Sequence, residues 1–461
     1  RNGRAEMTTA KTETTASDSV LRSRALGARD AARKLAATDP SVRDAALEAI
    51  AAAMVSERDA IMAANTLDCD AATTLAAKGE IGEPLVARLD LRKGKFETAL
   101  DMVRSVAGQP DPLWQTQRAT ELDQGLELFR VTVPIGVVGV IFESRPDALV
   151  QIAALCLKSG NAVLLKGGSE AANSNRILAD VITRATEAVE GIPAGWLTLL
   201  ETRGDVTEIL GMDDAIDLII PRGSKDFAAY VMANTKIPVT GHTDGVCHVY
   251  VDAAADFDKA LRVAVDSKIQ DVSTCCTEET LLVHADMAES FLQRAIKDLG
   301  EAKVLIRGDD RVRALPGVNG QVEAATEKDW SAEYLDYVLS VKIVDSLEEA
   351  IDHINRFGSA HTDSIVTEDK AAATRFLQGV DSASVFVNAS TRFADGYRYG
   401  LGAEIGISTG RLHSRGPVGL EGLTTYKYLL EGDGQIVDDY SGETAKPYTH
   451  RSLDKDWTRA S

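Results

Sequence analysis

The 461-residue chain is predicted to be an α/β protein with two consecutive doubly wound parallel-sheet domains. Apolar strand-like runs alternate with helical segments, the mark of β-α-β units and a parallel sheet with helices on both faces. The alternation occurs in two series, one from about residue 126 and one from about residue 246. The length exceeds what one ordinary core supports, so two or three domains are expected.

Taken in order, residues 1–16 read as a flexible arm. Residues 17–76 are Ala-rich with helical periodicity, broken at Asp39-Pro40-Ser41, where Ser41 suits the N-cap of the second helix. The strand-like L-E-L-F-R-V-T-V and I-G-V-V-G-V-I-F come next. Helix 147–158, strand A-V-L-L-K, helix 170–189, strand L-T-L-L, helix 205–212, strand A-I-D-L-I-I, helix 224–234 and strand I-P-V-T complete the first series. The second runs through V-C-H-V-Y-V-D, a cysteine segment, E-T-L-L-V, helix 286–299, Y-V-L-S-V-K-I-V, helix 346–357, T-D-S-I-V-T, helix 368–379 and S-V-F-V-N. The tail T-T-Y-K-Y-L-L-E reads as a late strand. Two such domains place a site in the cleft between them.

Composition excludes several classes. A net charge of −20 argues against nucleic acid binding through the overall field, while leaving room for local basic pockets. Five cysteines in a chain this long form no disulfide framework, so a reducing, cytoplasmic setting is expected. No apolar run reaches membrane-span length, and no membrane association is expected.

Asp271–Thr280 reads D-V-S-T-C-C-T-E-E-T. A cysteine among small hydroxyl residues, just before an apolar strand, suits covalent chemistry at sulfur better than core packing. Most lone cysteines are nevertheless buried small hydrophobes. A helical turn there would offer N–H groups to a thiolate or oxyanion. In L-L-K-G-G-S, Lys166 and Gly167 end a buried strand and Ser169 follows. That arrangement suits a phosphate or ribose. It lacks G-x-G-x-x-G, and a plain strand-to-helix connection fits equally. I-I-P-R-G-S puts Gly223 and Ser224 at the next strand end, facing the same crevice. In V-I-F-E-S-R-P-D, Glu143, Ser144 and Arg145 leave a strand at its ligand-facing mouth, which positions them for a ligand; a local Glu143–Arg145 ion pair is the lesser alternative. His242, Cys247 and His248 in T-G-H-T-D-G-V-C-H fall short of four metal ligands, so no metal is expected. His242 suits a catalytic or orienting role, or an ordinary hydrogen bond. Asn388, Arg392, Arg398, Arg411, His413 and Arg415 crowd a Gly-rich stretch, which points to an anion site or a solvated loop.

These segments, with S-T-C-x-T-x-E-T-L-L-V, G-S-A-H-T-D-S-I-V-T-E-D, N-A-S-T-R-F-x-D-G and G-L-G-A-E-I-G-I-S-T-G-R-L-H-x-R-G-P-V-G, resemble the gamma-glutamyl phosphate reductase family. The family lies within the aldehyde dehydrogenase superfamily, and the resemblance covers roughly residues 20–430. The same module forms the reductase half of pyrroline-5-carboxylate synthase. The resemblance implies an NADP-binding domain over 17–119 and 137–241 and a catalytic domain over 242–422. It also implies an oligomerisation flap from 120–136 and 423–446. The implied reaction is NADPH-dependent reduction of L-glutamyl 5-phosphate to L-glutamate 5-semialdehyde with release of phosphate, on the route to proline. A homo-oligomer, and association with glutamate kinase, would accord with it.

In the implied mechanism the Cys275 thiolate attacks the acyl phosphate and gives a thioester, which hydride reduces. Ser144 falls where related enzymes carry an oxyanion-binding asparagine, and Arg145 beside it suits the leaving phosphate. Glu333, in W-S-A-E-Y-L-D, matches the glutamate that holds the nicotinamide ribose; a solvated helix glutamate fits equally. His242 stands near the place of the water-activating glutamate of hydrolytic relatives, which an acid-reducing enzyme does not need. Ser169 replaces the glutamate of NAD-preferring members, which favours a 2′-phosphate and hence NADPH. Glu143, Asn388, Arg411 and Arg415 complete the expected substrate contacts. Cys276 stands where the family usually has asparagine, making it the alternative nucleophile. Two other activities fit less well: a CoA-acylating aldehyde dehydrogenase and a catalytically silent NADP-binding scaffold.

Overall fold

The computed structural model describes residues 19–458 except 144, 224, 243 and 319; the expected arm at 1–16, Ser144 and Ser224 lie outside the described residues. Helices Val20–Ala37, Pro40–Ser56 and Arg58–Ala77 open the fold. The second is capped by Asp39, whose side chain accepts from Ser41 N at 2.9 Å, so Ser41 is not the cap. Pro40 takes the first helical position, where its fixed φ and missing N–H cost nothing, and this moves the cap back one residue from the proline.

The first parallel sheet has four strands in the order Leu197–Leu200, Ala162–Lys166, Val137–Phe142, Leu218–Arg222. Every residue of Val137–Phe142 and Ala162–Lys166 is buried, as strands covered on both faces must be. The chain starts in the middle, winds to one edge, then returns to the other side of Val137–Phe142. This reversal leaves a crevice at the carboxyl ends of Val137–Phe142 and Leu218–Arg222. Glu143, Arg145, Arg222 and Gly223 follow or end those strands. The expected strand I-P-V-T makes only a bridge from Val239 to Ile219, because Pro238 has no N–H to extend a ladder.

The second sheet has seven parallel strands in the order Val322–Ala324, Leu305–Gly308, Val338–Val344, Glu278–His284, Cys247–Val251, Thr362–Val366, Ser384–Val387. One face is covered by helices such as Ala285–Glu301, which buries Ala288, Phe291, Leu292, Ala295, Ile296 and Leu299 at helical spacing. Each of the Phe, Leu and Ile side chains contributes about 1.5–3 kcal/mol. The opposite face packs Tyr250 and Ile365 against Ile351, Ile354 and Phe376.

A four-stranded antiparallel sheet stands apart, in the order Thr424–Glu431, Leu126–Pro134, Thr116–Asp123, Arg451–Leu453. It starts at Thr116 and draws in Arg451–Leu453, beyond both expected limits. No helix among the described residues is long and apolar enough to cross a membrane.

Candidate active site

Cys275 lies in a turn that precedes strand Glu278–His284, with no helix starting there. The expected helical N–H array is therefore replaced by a turn in which Thr277 N donates to Thr274 O at 3.0 Å. Side-chain hydroxyls hold that turn. Thr277 Oγ1 donates to Asp271 O at 2.6 Å and Ser273 Oγ to Asp271 Oδ1 at 2.7 Å. The strand beside it pins the cysteine's own backbone: Cys247 Sγ donates to Cys275 O at 3.2 Å. A Cβ on Gly245 would stand 2.1 Å from the same oxygen, so only glycine lets the two segments pack this closely.

Cys275 is partly exposed as a residue, whereas Cys276 is 4% exposed and receives the Arg392 Nη1 donor. Desolvation, with Cys276, Glu404 and Glu333 nearby, raises the Cys275 thiol well above its ordinary range; Arg222 pulls it down. The thiol thus keeps its proton at neutral pH and needs an acceptor. Two imidazoles stand within reach: the potential ligand atoms of His242, Cys275 and His361 lie within 4.8 Å of one another. His242 Nδ1 donates to Ile407 O at 2.7 Å, which leaves Nε2 with its lone pair. Burial lowers the His242 pKa, and lowers that of the wholly buried His361 well below the usual value.

Arginines meet at the crevice. Arg222 ends its strand with Nη1 buried and unpartnered, and burial followed by Arg145 lowers its pKa. Arg88 bonds Ser273 O at 3.3 Å through Nη2 and feels the charge of Arg145. Glu404 faces Arg222 and holds Gly396 N at 2.8 Å; burial raises its carboxyl. The arginines repel one another, and Glu404, Asp271, Glu143 and Asp147 offset part of that charge.

The cofactor side is built at neighbouring strand ends. Lys166 is buried and its Nζ bonds Gly167 O. A Cβ on Gly167 would stand 2.1 Å from Asn175 Nδ2. Ser169 is exposed at the head of a short 3₁₀ turn, and Gly223 is exposed with Glu143 against it. Open backbone and a cation at this strand end fit the phosphates of a dinucleotide, with the Glu170 carboxylate standing against Gly168.

The aldehyde dehydrogenase family profile matches residues 5–329. Gamma-glutamyl phosphate reductase of Natronomonas pharaonis is 55% identical over 94% of this chain and 97% of its own. That of Acetivibrio thermocellus is 52% identical over 93% and 97%. The crystal structure of the Thermotoga maritima gamma-glutamyl phosphate reductase superposes with a TM-score of 0.85 at 38% identity, covering 90% of this chain and 99% of that one. The chain belongs to the gamma-glutamyl phosphate reductase family of aldehyde dehydrogenases. An acetylating aldehyde dehydrogenase of Geobacillus thermoglucosidasius, 20% identical with a TM-score of 0.63 over 90% of this chain and 97% of that one, shares the fold.

Within this family frame the structure brings Cys275, His242, Arg145 and Glu333 to one place. It does not bring Arg411 and Arg415 there. Both guanidiniums bond Asp381, Arg415 Nη2 at 2.9 Å and Arg411 more closely, and Arg411 is 81% exposed. Asn388 is likewise committed, its amide accepting from Thr367 N and donating to Thr367 O, both at 2.9 Å. Arg398 donates to Arg392 O at 2.7 Å and supports the segment. Sequence reading missed Arg222, His361, Glu404 and Arg88. The first three sat unremarked inside quoted motifs, and only Arg222's position at a strand mouth was a usable signal.

Proposed function

We propose that the chain reduces L-glutamyl 5-phosphate to L-glutamate 5-semialdehyde with NADPH, releasing phosphate, in proline biosynthesis. The observation that carries this reading is a partly exposed Cys275 beside two imidazoles, within the field of Arg222, whose buried Nη1 has no hydrogen-bond partner.

His242 Nε2 takes the Cys275 proton, and the sulfur attacks the acyl carbon. Cys275 forms an S–C bond as the C–O bond to phosphate breaks, leaving a thioester. Arg145 and Arg222 neutralise the departing phosphate, each able to make two parallel bonds to it. Glu404, which faces Arg222, suits the substrate ammonium. Lys166, Ser169 and Gly223 would hold NADPH, with Glu333 suited to its ribose, and the cofactor would supply the hydride that reduces the thioester. His242 then returns its proton as the C–S bond breaks and the aldehyde leaves.

The same fold carries CoA-acylating relatives, so the co-substrate decides. Run in reverse, L-glutamate 5-semialdehyde should reduce NADP⁺ only when phosphate is present. Dependence on CoA instead of phosphate would transfer the chain to the acylating class, and no turnover with either would leave a silent scaffold.

The exposed edge strand Thr424–Glu431 carries Tyr426, Tyr428 and Leu430 on one face, suited to a second copy of the chain in a homo-oligomer. Association with glutamate kinase, which would hand over a labile acyl phosphate directly, accords with this reaction.

A further inference from the structure

The grouping of His242, Cys275 and His361 is more specific than nucleophilic chemistry requires. One imidazole is enough to accept the thiol proton, yet two stand beside the sulfur. His361 is 0% exposed, and its Nδ1 is occupied by Thr362 Oγ1 at 2.9 Å and Cys247 Sγ at 3.6 Å. Its Nε2 is buried with no partner. A polar atom in that position ordinarily finds a hydrogen bond. His242 is oriented by Ile407 O in the way metal-bound histidines are, its Nδ1–H donating outward so that Nε2 is basic.

We propose that Cys275, His242 and His361 form a binding site for a borderline-soft divalent cation such as Zn²⁺, which caps the nucleophile and reversibly silences the enzyme. Tetrahedral zinc takes nitrogen and sulfur donors about 3.3–3.6 Å apart. Donors already within 4.8 Å need close by only about an ångström. The fourth position faces the cleft, through which Cys275 and His242 are partly exposed, and takes water. Binding exchanges the thiol proton for the metal: S–H breaks, S–Zn forms, and one proton leaves to solvent. Occupancy therefore strengthens as pH rises. Inhibition rests on Cys275 being the nucleophile; the binding itself does not.

The test uses the whole chain and Co²⁺ as a visible stand-in for zinc. A thiolate-to-cobalt charge-transfer band should appear, and Zn²⁺ should displace it. Cys275→Ser should lose the band and Cys276→Ser should keep it. His361→Gln and His242→Gln should each weaken cobalt binding by about tenfold or more, the loss usual when a group that supports a metal is removed. In the unmutated protein Zn²⁺ should also protect Cys275 from iodoacetamide, a readout that no folding defect can mimic. No band and no protection would overturn the proposal. So would a band that survives Cys275→Ser, or histidine variants that bind as tightly as the unmutated protein. If the band and protection appear but phosphate-dependent NADP⁺ reduction does not, the cation site stands and the reading of the reaction fails.

Discussion

Cys275 is the one partly exposed cysteine, and its sulfur stands beside two imidazoles. Cys275→Ser is expected to abolish turnover while NADPH affinity and thermal unfolding stay close to the unmutated values. Cys276→Ser, which alters the contacts to Arg392 and Thr274, is expected to keep most activity. The reverse pattern in a steady-state assay would move the nucleophile to Cys276. For the anion, Arg222→Ala and Arg145→Ala should raise the phosphate KM of the reverse reaction. Losing a charged hydrogen bond costs about 1.5–3 kcal/mol, or roughly tenfold to a hundredfold. Arg411→Ala should change it less than twofold by roughly the same reasoning, since an exposed pair is worth little. Equal effects at all three would show the crevice arginines are not the phosphate site. The sequence made Cys275 legible because its hydroxyl neighbours are local. Arginine density between Asn388 and Arg415 misled because Asp381, which binds Arg411 and Arg415, lies 30 and 34 residues away.

Secondary elements carry two further expectations. The strand Ala162–Lys166 delivers Ser169 to an exposed position, so Ser169→Glu puts a carboxylate beside the 2′-phosphate. The charge repulsion, on the order of a few kcal/mol, should shift kcat/KM from NADPH towards NADH. An unchanged ratio would show that Ser169 does not face the ribose. In helix Leu347–Phe357, His353 packs against His248, Trp330 and Phe357. Burial, and then His248, Lys342 and Arg356, hold its pKa down at about 2 against an ordinary 6.5. Below about 6.5 the unfolded imidazole gains a proton that the folded one refuses. Its contribution is therefore complete above that pH and is lost as pH falls, by at most about 1.4 kcal/mol per pH unit. The gap in Tm between the unmutated chain and His353→Gln should be wider at pH 7.5 than at pH 5; a constant gap would contradict this. Most strands and helices were readable because apolar period and caps agree locally. The Ser41 cap and the I-P-V-T strand were misread because a proline moved the cap in one case and removed a donor in the other.

On the scale of the whole molecule, the site joins the carboxyl ends of one parallel sheet to the starting ends of another. Arg222 ends its strand, whereas Cys247, Cys275 and His361 open or precede theirs. The succession of β-α-β units was legible. This opposition of two sheets was not, because no local pattern encodes how domains face each other. The short strands Leu305–Gly308, Val322–Ala324 and Arg451–Leu453 also escaped, being too brief for periodicity and fixed by their neighbours. The central claim is that Cys275 carries the acyl group between hydride transfer and phosphate. Rapid mixing of the chain with L-glutamate 5-semialdehyde and NADP⁺, without phosphate, tests it most directly. The account predicts a burst of one NADPH per Cys275 that then stops, with steady turnover on adding phosphate and no burst in Cys275→Ser. Steady NADPH formation without phosphate, or an unchanged burst in Cys275→Ser, would contradict it.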